Sequence, residues 1–158
     1  MSNENMEQGD FEIIREIEDR LGEKLEQVHI DEIDRFSGYK RRFALNGNNR
    51  VVALRLDAFF YIRSIQDKIL GLKGLRKIFL RECYLYDASF LKNLKHLTYV
   101  DLSENKLKDV SFLCEMDQLT GIDLSLNPIK NPPPEVVQQG LRAIRDYLGS
   151  GTAGTGIN

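Results

Sequence analysis

Three stretches of the sequence decide the fold: LRKIFLRECYL (75–85), LTYVDLSENKL (97–107) and LTGIDLSLNPI (119–129) align without gaps. Their first leucines are 22 residues apart each time, and a degenerate fourth copy, VVALRLDAFFY (51–61), begins 24 residues earlier. The shared pattern is L-x-x-L-x-L-x-x-N/C-x-L, and its ninth position is filled by Cys83, Asn105 and Asn127. A fixed period of this length is typical of a chain that stacks one supersecondary unit on the next.

The apolar positions of each copy predict a short β-strand. Within L-x-L the side chains alternate, so that one row faces a core and the next row faces away from it. One such strand cannot bury its apolar row alone, whereas parallel copies stacked about 4.8 Å apart bury a continuous core. We expect the asparagine at the ninth position to turn inward and to bond the free backbone groups of the bend after the strand. Cys83 is expected to occupy the same place in its own copy.

The segments that return the chain to the next copy are too short for a full helix. Both DASFLKNLKHL (87–97) and DVSFLCEMDQL (109–119) contain the motif D-x-S-F-L. Segments of this length predict short 3-10 turns. Repeat and return segment together resemble the leucine-rich repeat, in the 22-residue short-repeat subclass found in phosphatase-regulatory and bacterial surface proteins. The resemblance covers residues 51–131 and four repeats. It implies an α/β solenoid with short parallel β-strands on the concave side and 3-10 turns on the convex side.

Residues 1–50 are predicted to form an N-terminal cap, because a solenoid this short needs a cover at each end of its core. Apolar residues recur at helical spacing from Asp10, a candidate N-cap, to Leu21. An Asn-Gly pair at 46–47 then separates two strand-like runs, which predicts a β-hairpin that leads into the first repeat. Residues 1–35 hold 12 Asp and Glu against 4 Lys and Arg, whereas the remainder holds 12 against 18. The acidic segment is interpreted as the solvated outer face of this cap, and a separate binding role for it stays open.

Residues 132–148 are predicted to form one C-terminal capping helix, with Pro134 at its first position. Its apolar face is expected to consist of Val136, Val137, Leu141, Ile144 and Leu148. The last residues, 149–158, read GSGTAGTGIN and are predicted to be a flexible tail. They contain no Lys and therefore do not fit a phosphate-binding loop.

The C-terminal segment also carries a more specific resemblance. Its string N-P-x-x-x-P-P-P-E-x-V-x-Q-G-x-x-A-I-x-x-Y-L resembles the closing segment of the leucine-rich domains that precede the GTPase module in bacterial Roco proteins. The residues that carry the resemblance are Asn127, Pro128, Pro132, Pro133, Pro134, Glu135, Gly140, Ala143, Ile144, Tyr147 and Leu148. The resemblance implies either a domain cut from such a GTPase or a free-standing repeat protein.

The outward positions of the predicted strands form the candidate binding site, because the concave face of such a solenoid is its usual interaction surface. We expect Phe79 and Tyr99 to form an exposed aromatic patch with basic residues on one side and acidic residues on the other. Asp101 and Asp123 are expected to stack about 4.8 Å apart on adjacent strands, with Arg81 as their counter-charge. The candidate partner-binding residues are Arg55, Lys77, Phe79, Arg81, Tyr99, Asp101 and Asp123. The alternative is that these are solvated side chains of the sheet that pack flat on one another.

Composition and residue clusters argue against several classes of function. The cysteines, Cys83 and Cys114, and the two histidines are not clustered, so no metal site is predicted, and both thiols are expected to be buried. The net charge of −2 and the pI near 5.8 argue against a nucleic-acid partner. No apolar run approaches the roughly 18 residues of a membrane span, and the polar N-terminus does not resemble a signal peptide. We therefore expect a cytoplasmic protein.

The sequence predicts a protein–protein interaction module that binds a partner protein or peptide on the concave face. The alternative is a regulatory or dimerising domain of a Roco-type GTPase, whose surface docks on the signalling core or on a second copy in a homodimer. An enzyme is the least favoured class, because no nucleophile–base pair, metal cluster or phosphate loop is recognisable. Accordingly, no catalytic residue and no cofactor are predicted.

Overall fold

Six short strands form one open sheet in the computed structural model, which describes residues 4–35 and 38–150. The strands are β1 (Glu26–Val28), β2 (Arg42–Leu45), β3 (Val51–Arg55), β4 (Lys77–Phe79), β5 (Tyr99–Asp101) and β6 (Gly121–Asp123). They lie side by side in chain order, and every neighbouring pair is parallel except the antiparallel pair of β2 and β3. The fold is therefore α/β with a mostly parallel sheet that does not close into a barrel.

Helical segments connect and flank the strands. The α-helices are α1 (Glu4–Leu21), α2 (Gln66–Gly71), α3 (Pro134–Val137) and α4 (Leu141–Gly149). The 3-10 helices are Ile30–Glu32, Ile62–Ile65, Ser89–Asn93 and Ser111–Glu115. Nearly all of the predicted tail at 149–158 lies outside the described residues. Among the helices that the structure describes, none is both long enough and apolar enough to cross a membrane.

The register of the parallel strands follows the sequence repeat. Lys77 pairs with Tyr99, and Tyr99 pairs with Gly121, so each partner lies 22 residues further along the chain. The degenerate first copy joins the same ladder, since Ala53 pairs with Lys77 across the longer step of 24 residues. The alignment of the four copies that the sequence predicts is confirmed.

One face of the sheet, called here the core face, is covered by helices and 3-10 turns. Ile78 and Val100 point to this face and are fully buried in one continuous apolar cluster. The predicted 3-10 turns are present in the return segments, as Ser89–Asn93 and Ser111–Glu115. The first return segment is longer and holds the 3-10 helix Ile62–Ile65 followed directly by α2.

The predicted inward asparagine is present at the bends after the strands. The Asn105 amide nitrogen donates to the carbonyl oxygens of Leu80 and Leu102, at 2.8 and 2.9 Å. Its carbonyl oxygen accepts from the backbone N–H groups of Cys83 and Leu85, at 3.1 and 2.9 Å. One buried side chain thus satisfies backbone groups of two successive bends.

The next and the preceding copies repeat this arrangement with smaller sets of bonds. The Asn127 amide nitrogen donates to the Leu102 carbonyl at 2.8 Å, and its oxygen accepts from the Leu107 N–H at 3.0 Å. The Cys83 thiol donates to the Leu56 carbonyl at 3.3 Å, so the cysteine occupies the predicted place.

The residues just before the ninth position have φ between 55° and 57°; they are Ala58, Glu82, Glu104 and Leu126. Since this left-handed conformation is uncommon outside glycine, its recurrence indicates that the four bends follow one backbone path.

The N-terminal helix differs from the prediction at its start. It begins at Glu4, so Asp10 lies inside it and is not its N-cap. The Asp10 carboxylate is almost fully buried and accepts from Arg50 Nε at 2.8 Å and from the Val51 N–H at 2.9 Å. Hydrogen bonding to Asp10 raises the pKa of Arg50. Asp10 therefore joins the helix to the start of the first repeat strand, a role that local sequence does not show.

The chain between α1 and the first repeat includes the predicted hairpin and one strand that was not predicted. β2 and β3 form the hairpin, and the Asn46 side chain closes its turn by accepting from the N–H groups of Asn48 and Arg50, at 2.9 and 3.0 Å. β1 pairs in parallel with the outer edge of β2 and extends the sheet. With only three residues, it is too short for its alternation to be recognised.

The C-terminal cap consists of two short helices, and the prediction of one helix over 132–148 is wrong. α3 starts at Pro134, as predicted, but the chain breaks before α4 at Gly140, which has φ +89° and ψ −176°. A residue with a Cβ rarely adopts that conformation. The Arg145 guanidinium then donates to the carbonyl oxygens of Met116 and Leu119, which fixes α4 on the last return segment.

The bonds of Asn105 generate a prediction of stability. Asn105→Ala leaves buried backbone groups of two bends without partners, and we expect it to lower the free energy of unfolding by about 3 kcal/mol. Urea unfolding followed by circular dichroism measures this loss. The control is Asn93→Ala, because the exposed Asn93 side chain bonds only its own 3-10 turn. An equal loss in the two variants would contradict the structural role of Asn105.

Candidate functional site

The face of the sheet opposite the core face, called here the second face, carries most of the predicted site residues. The third and fifth positions of the four copies point to it. These positions hold Ala53, Lys77, Tyr99, Gly121, Arg55, Phe79, Asp101 and Asp123. The register brings all four copies together on this face, and it places Asp101 directly beside Asp123, as predicted.

Part of the second face is covered by the chain's own residues 28–34. Ile33 is fully buried in a small apolar cluster with Ala53 and Phe79. Its carbonyl oxygen accepts a 2.9 Å hydrogen bond from Arg55 Nε. The N-terminal region therefore also lies over the β3 and β4 part of the second face.

The prediction that Phe79 is exposed is wrong, and so is the outward, solvated position expected for Arg55. Phe79 is 3% exposed and Arg55 is 5% exposed. The Arg55 guanidinium lies 4.1 Å from the centre of the Phe79 ring and forms a 2.5 Å ion pair with the buried Asp57. Burial raises the pKa of Asp57, and the neighbouring Arg55 charge acts in the opposite direction. The physical reason for both corrections is the cover by Ile33, which takes these side chains out of water.

The other two basic candidates are half-buried and already paired. Lys77 Nζ lies 2.8 Å from the Asp34 carboxylate, which belongs to the covering segment. Arg81 forms its ion pair with Glu104 and not with the two stacked aspartates. Burial lowers the pKa of Arg81, but Glu104 and then Asp101 raise it, and the net change is upward. Asp101 therefore acts on Arg81 through space, while Glu104 holds the direct contact.

The β5 and β6 part of the second face is less covered, but Tyr99 is half-buried there and not fully exposed as predicted. The Tyr99 ring packs at 5.5 Å from the Phe79 ring, centre to centre. It also lies over Gly121, where an added Cβ would come within 2.9 Å of Tyr99 Cδ2. Burial raises the pKa of Tyr99, and the carboxylates of Asp101 and Asp123 raise it further.

The two aspartates beside Tyr99 shape their own bends and keep their charge facing outward. Asp101 Oδ1 accepts from the N–H and the hydroxyl of Ser103, at 2.9 and 2.6 Å. Asp123 Oδ1 accepts from the Ser125 N–H at 2.9 Å. Within the part of the chain that the structure describes, neither carboxylate forms an ion pair. The open part of the second face therefore carries two carboxylates side by side next to an aromatic ring.

A second group of accessible side chains lies where β3 and β4 lead into their bends. Phe60, Tyr61, Tyr84 and Tyr86 are all more than half exposed. The sequence contained one signal for them, since Phe60 and Tyr84 occupy the tenth position of successive copies. The prediction of the site considered only the strand positions and therefore missed this group.

Groups that would support metal or thiol chemistry are sparse. Among residues 4–35 and 38–150, no three His, Cys, Asp or Glu side chains come together in a way that could hold a metal ion. Cys83 is buried, as predicted, and burial raises the pKa of its thiol to about 12. Cys114 is exposed, so its predicted burial is wrong. It lies in the 3-10 helix Ser111–Glu115, whose inward positions are taken by Phe112 and Leu113.

Comparison with known proteins adds no assignment. No protein-family model matches the sequence, and no curated protein matches it either.

The two cysteines are expected to differ strongly in reactivity. At pH 8 in native buffer, a disulfide-exchange reagent should label Cys114 quickly and leave Cys83 unlabelled, because the Cys83 thiol is buried and protonated well above this pH. In about 6 M guanidinium both thiols should react. The Cys114→Ser variant should show no fast phase. Two fast thiols in the native wild-type protein would contradict the position of Cys83.

Proposed function

We propose that this protein is a leucine-rich repeat solenoid that acts as a protein–protein interaction module in the cytoplasm. The parallel register at a 22-residue step, the inward asparagines and the 3-10 return segments support the solenoid. The proposed organisation is a cap over 1–50, four repeats over 51–131, a C-terminal cap over 132–148 and a tail over 149–158. Free thiols at both cysteines agree with a reducing compartment.

The proposed binding site is the open part of the second face, and a single observation carries it. Tyr99 lies beside two carboxylates, Asp101 and Asp123, which are direct neighbours on adjacent strands and form no ion pair in the described part of the chain. Like charges on adjacent strands repel each other unless a cation lies between them. An arginine or lysine of a partner segment would relieve that repulsion, and its stem would pack on the aromatic ring. The partner is therefore a protein or peptide segment with a basic residue.

The covered part of the second face supports this proposal by analogy within the same molecule. There the chain's own segment 28–34 lies on the sheet through one buried apolar side chain, Ile33, and one ion pair, Asp34 with Lys77. The face thus accommodates an irregular segment by combining an apolar anchor with a charge pair. A partner on the open part would use the same combination with the charges reversed.

The predicted contact residues take different roles under this proposal. Tyr99, Asp101 and Asp123 contact the partner, and Lys77 and Arg81 form the rim. Phe79 and Arg55 position the Tyr99 ring, because Phe79 packs on Tyr99 and Arg55 packs on Phe79. Partner contact by these two buried side chains is not part of the proposal.

A random peptide library displayed on phage tests the proposed site with the full chain as bait. We expect enriched peptides with Lys or Arg beside an apolar residue. Synthetic versions should bind at least about tenfold more weakly to Asp101→Asn/Asp123→Asn and to Tyr99→Ala, since such contacts dominate small interfaces. Raising the salt concentration should weaken binding as well.

The matched control is Glu12→Gln/Asp19→Asn, which removes two exposed charges from α1. This variant should bind the basic peptides within about twofold of the wild type, because charges beyond a Debye length are screened. Equal loss in the control and the site variant would show that only net charge matters. Unchanged binding in the Tyr99 and aspartate variants would refute the site.

The second candidate is a regulatory or dimerising domain of a Roco-type GTPase. The support for it is the resemblance of the segment from Asn127 to Leu148, in which Pro134 begins a helix and Gly140 ends the following turn. A reading frame that continues beyond Asn158 into a G-x-x-x-x-G-K-S/T loop would establish this candidate, and a stop codon at that point would remove its main support.

A further inference from the structure

The exposed aromatic side chains at the bends of the first two copies form one contiguous surface, called here the aromatic edge. It consists of Phe60, Tyr61, Tyr84 and Tyr86, which are 61%, 72%, 54% and 63% exposed. The rings contact each other both between copies and within one copy: Phe60 lies 6.4 Å from Tyr84 of the next copy, and Tyr84 lies 5.5 Å from Tyr86 of its own copy, centre to centre. A contiguous exposed apolar patch of this kind marks an interaction site more often than isolated exposed residues do.

The aromatic edge encloses a cleft of about 520 Å³ with an apolar floor. Ile62, Cys83 and Leu85 form this floor, and each of them is buried. The cleft is large enough for one apolar side chain of a partner together with part of its backbone. Nothing in the described part of the chain fills it.

The bend that carries Tyr84 holds the backbone of the aromatic edge in place. Tyr84 has φ 59° and lies between Cys83 and Leu85, whose N–H groups both bond the Asn105 side chain. The backbone that carries Tyr84 is therefore held in place before a partner binds. Rigid aromatic anchors lower the entropic cost of association, which favours a role in recognition.

The edge continues into a basic region on the following copies. Lys106 follows Phe60 and Tyr84 at the tenth position, and its Nζ lies 5.4 Å from the centre of the Tyr84 ring. Lys108 and Lys130 follow Tyr86 in the same way, on adjacent turns that are bonded through their backbones. All three lysines are exposed. None of them forms an ion pair within the described residues.

The acidic residues close to the edge do not cancel this positive charge through direct pairing. Asp87 accepts from the N–H and hydroxyl of Ser89, at 2.8 and 2.9 Å, and Asp109 accepts from the Ser111 N–H at 2.7 Å. The hydrogen bond from Ser111, among others, keeps the pKa of Asp109 below its ordinary value despite partial burial, which acts in the opposite direction. Each carboxylate accepts a hydrogen bond from the first residue of a 3-10 helix, whereas the lysine ammonium groups remain available to a partner.

From this geometry we propose that the aromatic edge and its lysines bind an acidic peptide segment of a partner protein. An apolar or aromatic side chain of the segment enters the cleft between Phe60, Tyr84 and Tyr86. Flanking Asp or Glu residues of the segment pair with Lys106 and Lys108. This partner has the opposite charge to the one proposed for the second face, so the protein presents two separate recognition surfaces.

The ring geometry favours a peptide over a single-stranded nucleic acid. Successive bases stack on ring faces that are presented one after another. Here the planes of Phe60 and Tyr84 meet at 88°, and those of Tyr84 and Tyr86 meet at 82°, so no two neighbouring rings offer parallel faces. Such edge-to-face rings enclose a side chain better than they support a row of bases.

The same phage-displayed random library, panned against the full chain, tests the aromatic edge. We expect a second class of enriched peptides, in which Asp or Glu flank a Leu, Phe, Tyr or Trp. Fluorescence anisotropy with synthetic versions should give at least about tenfold weaker binding to Tyr84→Ala and to Lys106→Glu/Lys108→Glu. Thermal unfolding of each variant checks that the fold is retained, which is expected because all three side chains are exposed.

Two control variants distinguish binding at the aromatic edge from a general effect of charge and from binding at the second face. Lys73→Glu/Lys95→Glu reverses two exposed lysines in the segments that precede β4 and β5, at the opposite ends of these strands from the aromatic edge, and should leave binding of the acidic peptides within about twofold. Tyr99→Ala on the second face should also leave it unchanged. Loss of binding in Tyr99→Ala alone would assign the acidic peptides to the second face and would overturn this proposal without removing that site.

Three further outcomes also overturn the proposal. One is the absence of any enriched acidic class after panning. Another is an acidic class whose binding does not respond to Tyr84→Ala. The third is micromolar binding of a fluorescein-labelled 12-residue oligothymidine that Tyr84→Ala abolishes, which would replace the acidic peptide with a nucleic acid as the occupant.

Discussion

The Asn105 side chain bonds two successive bends at once, and the sheet depends on this connection. Backbone groups at a buried bend lack partners in the strand ladder, and each unpaired group would cost about 1–3 kcal/mol. The Asn105 amide serves the bend after β4 through the N–H groups of Cys83 and Leu85, and it serves its own bend through the Leu102 carbonyl. Because one short side chain must reach both, successive copies are held at a constant spacing.

The same constraint explains why the surfaces form columns of side chains. Once the bends coincide, residues of equal phase lie side by side on neighbouring strands, such as Tyr99 beside Gly121. In the bends after the strands, residues at equal positions of successive copies still lie side by side. Phe60 therefore contacts Tyr84, and Tyr84 in turn contacts Lys106. A change of residue type along one column therefore changes the chemistry of a surface from one end to the other. The second face goes from apolar and covered to acidic and open, and the edge goes from aromatic to basic.

Sequence reasoning was successful where a local pattern repeats. The strand register, the inward asparagines, the 3-10 return segments and the hairpin are each specified by a few neighbouring residues, and each is confirmed. It failed where a contact joins distant parts of the chain. Nothing local distinguishes an Asp10 that caps a helix from an Asp10 that bonds Arg50 forty residues later. Likewise, the spacing of Ile30 and Ile33 does not reveal that Ile33 covers Phe79.

The largest consequence of the covering segment concerns the charge that the second face presents to solvent. Repeat position alone predicts a mixed surface, with the basic side chains on one side of the aromatic pair and the acidic side chains on the other. In the folded protein, Arg55 is buried against Asp57, Lys77 is paired with Asp34 and Arg81 is paired with Glu104. Asp101 and Asp123 are the charges of that face that have no ion-pair partner within the described residues. The charge that such a face presents is set by the side chains that form no ion pair after folding, and among the described residues of this face those are the carboxylates of Asp101 and Asp123.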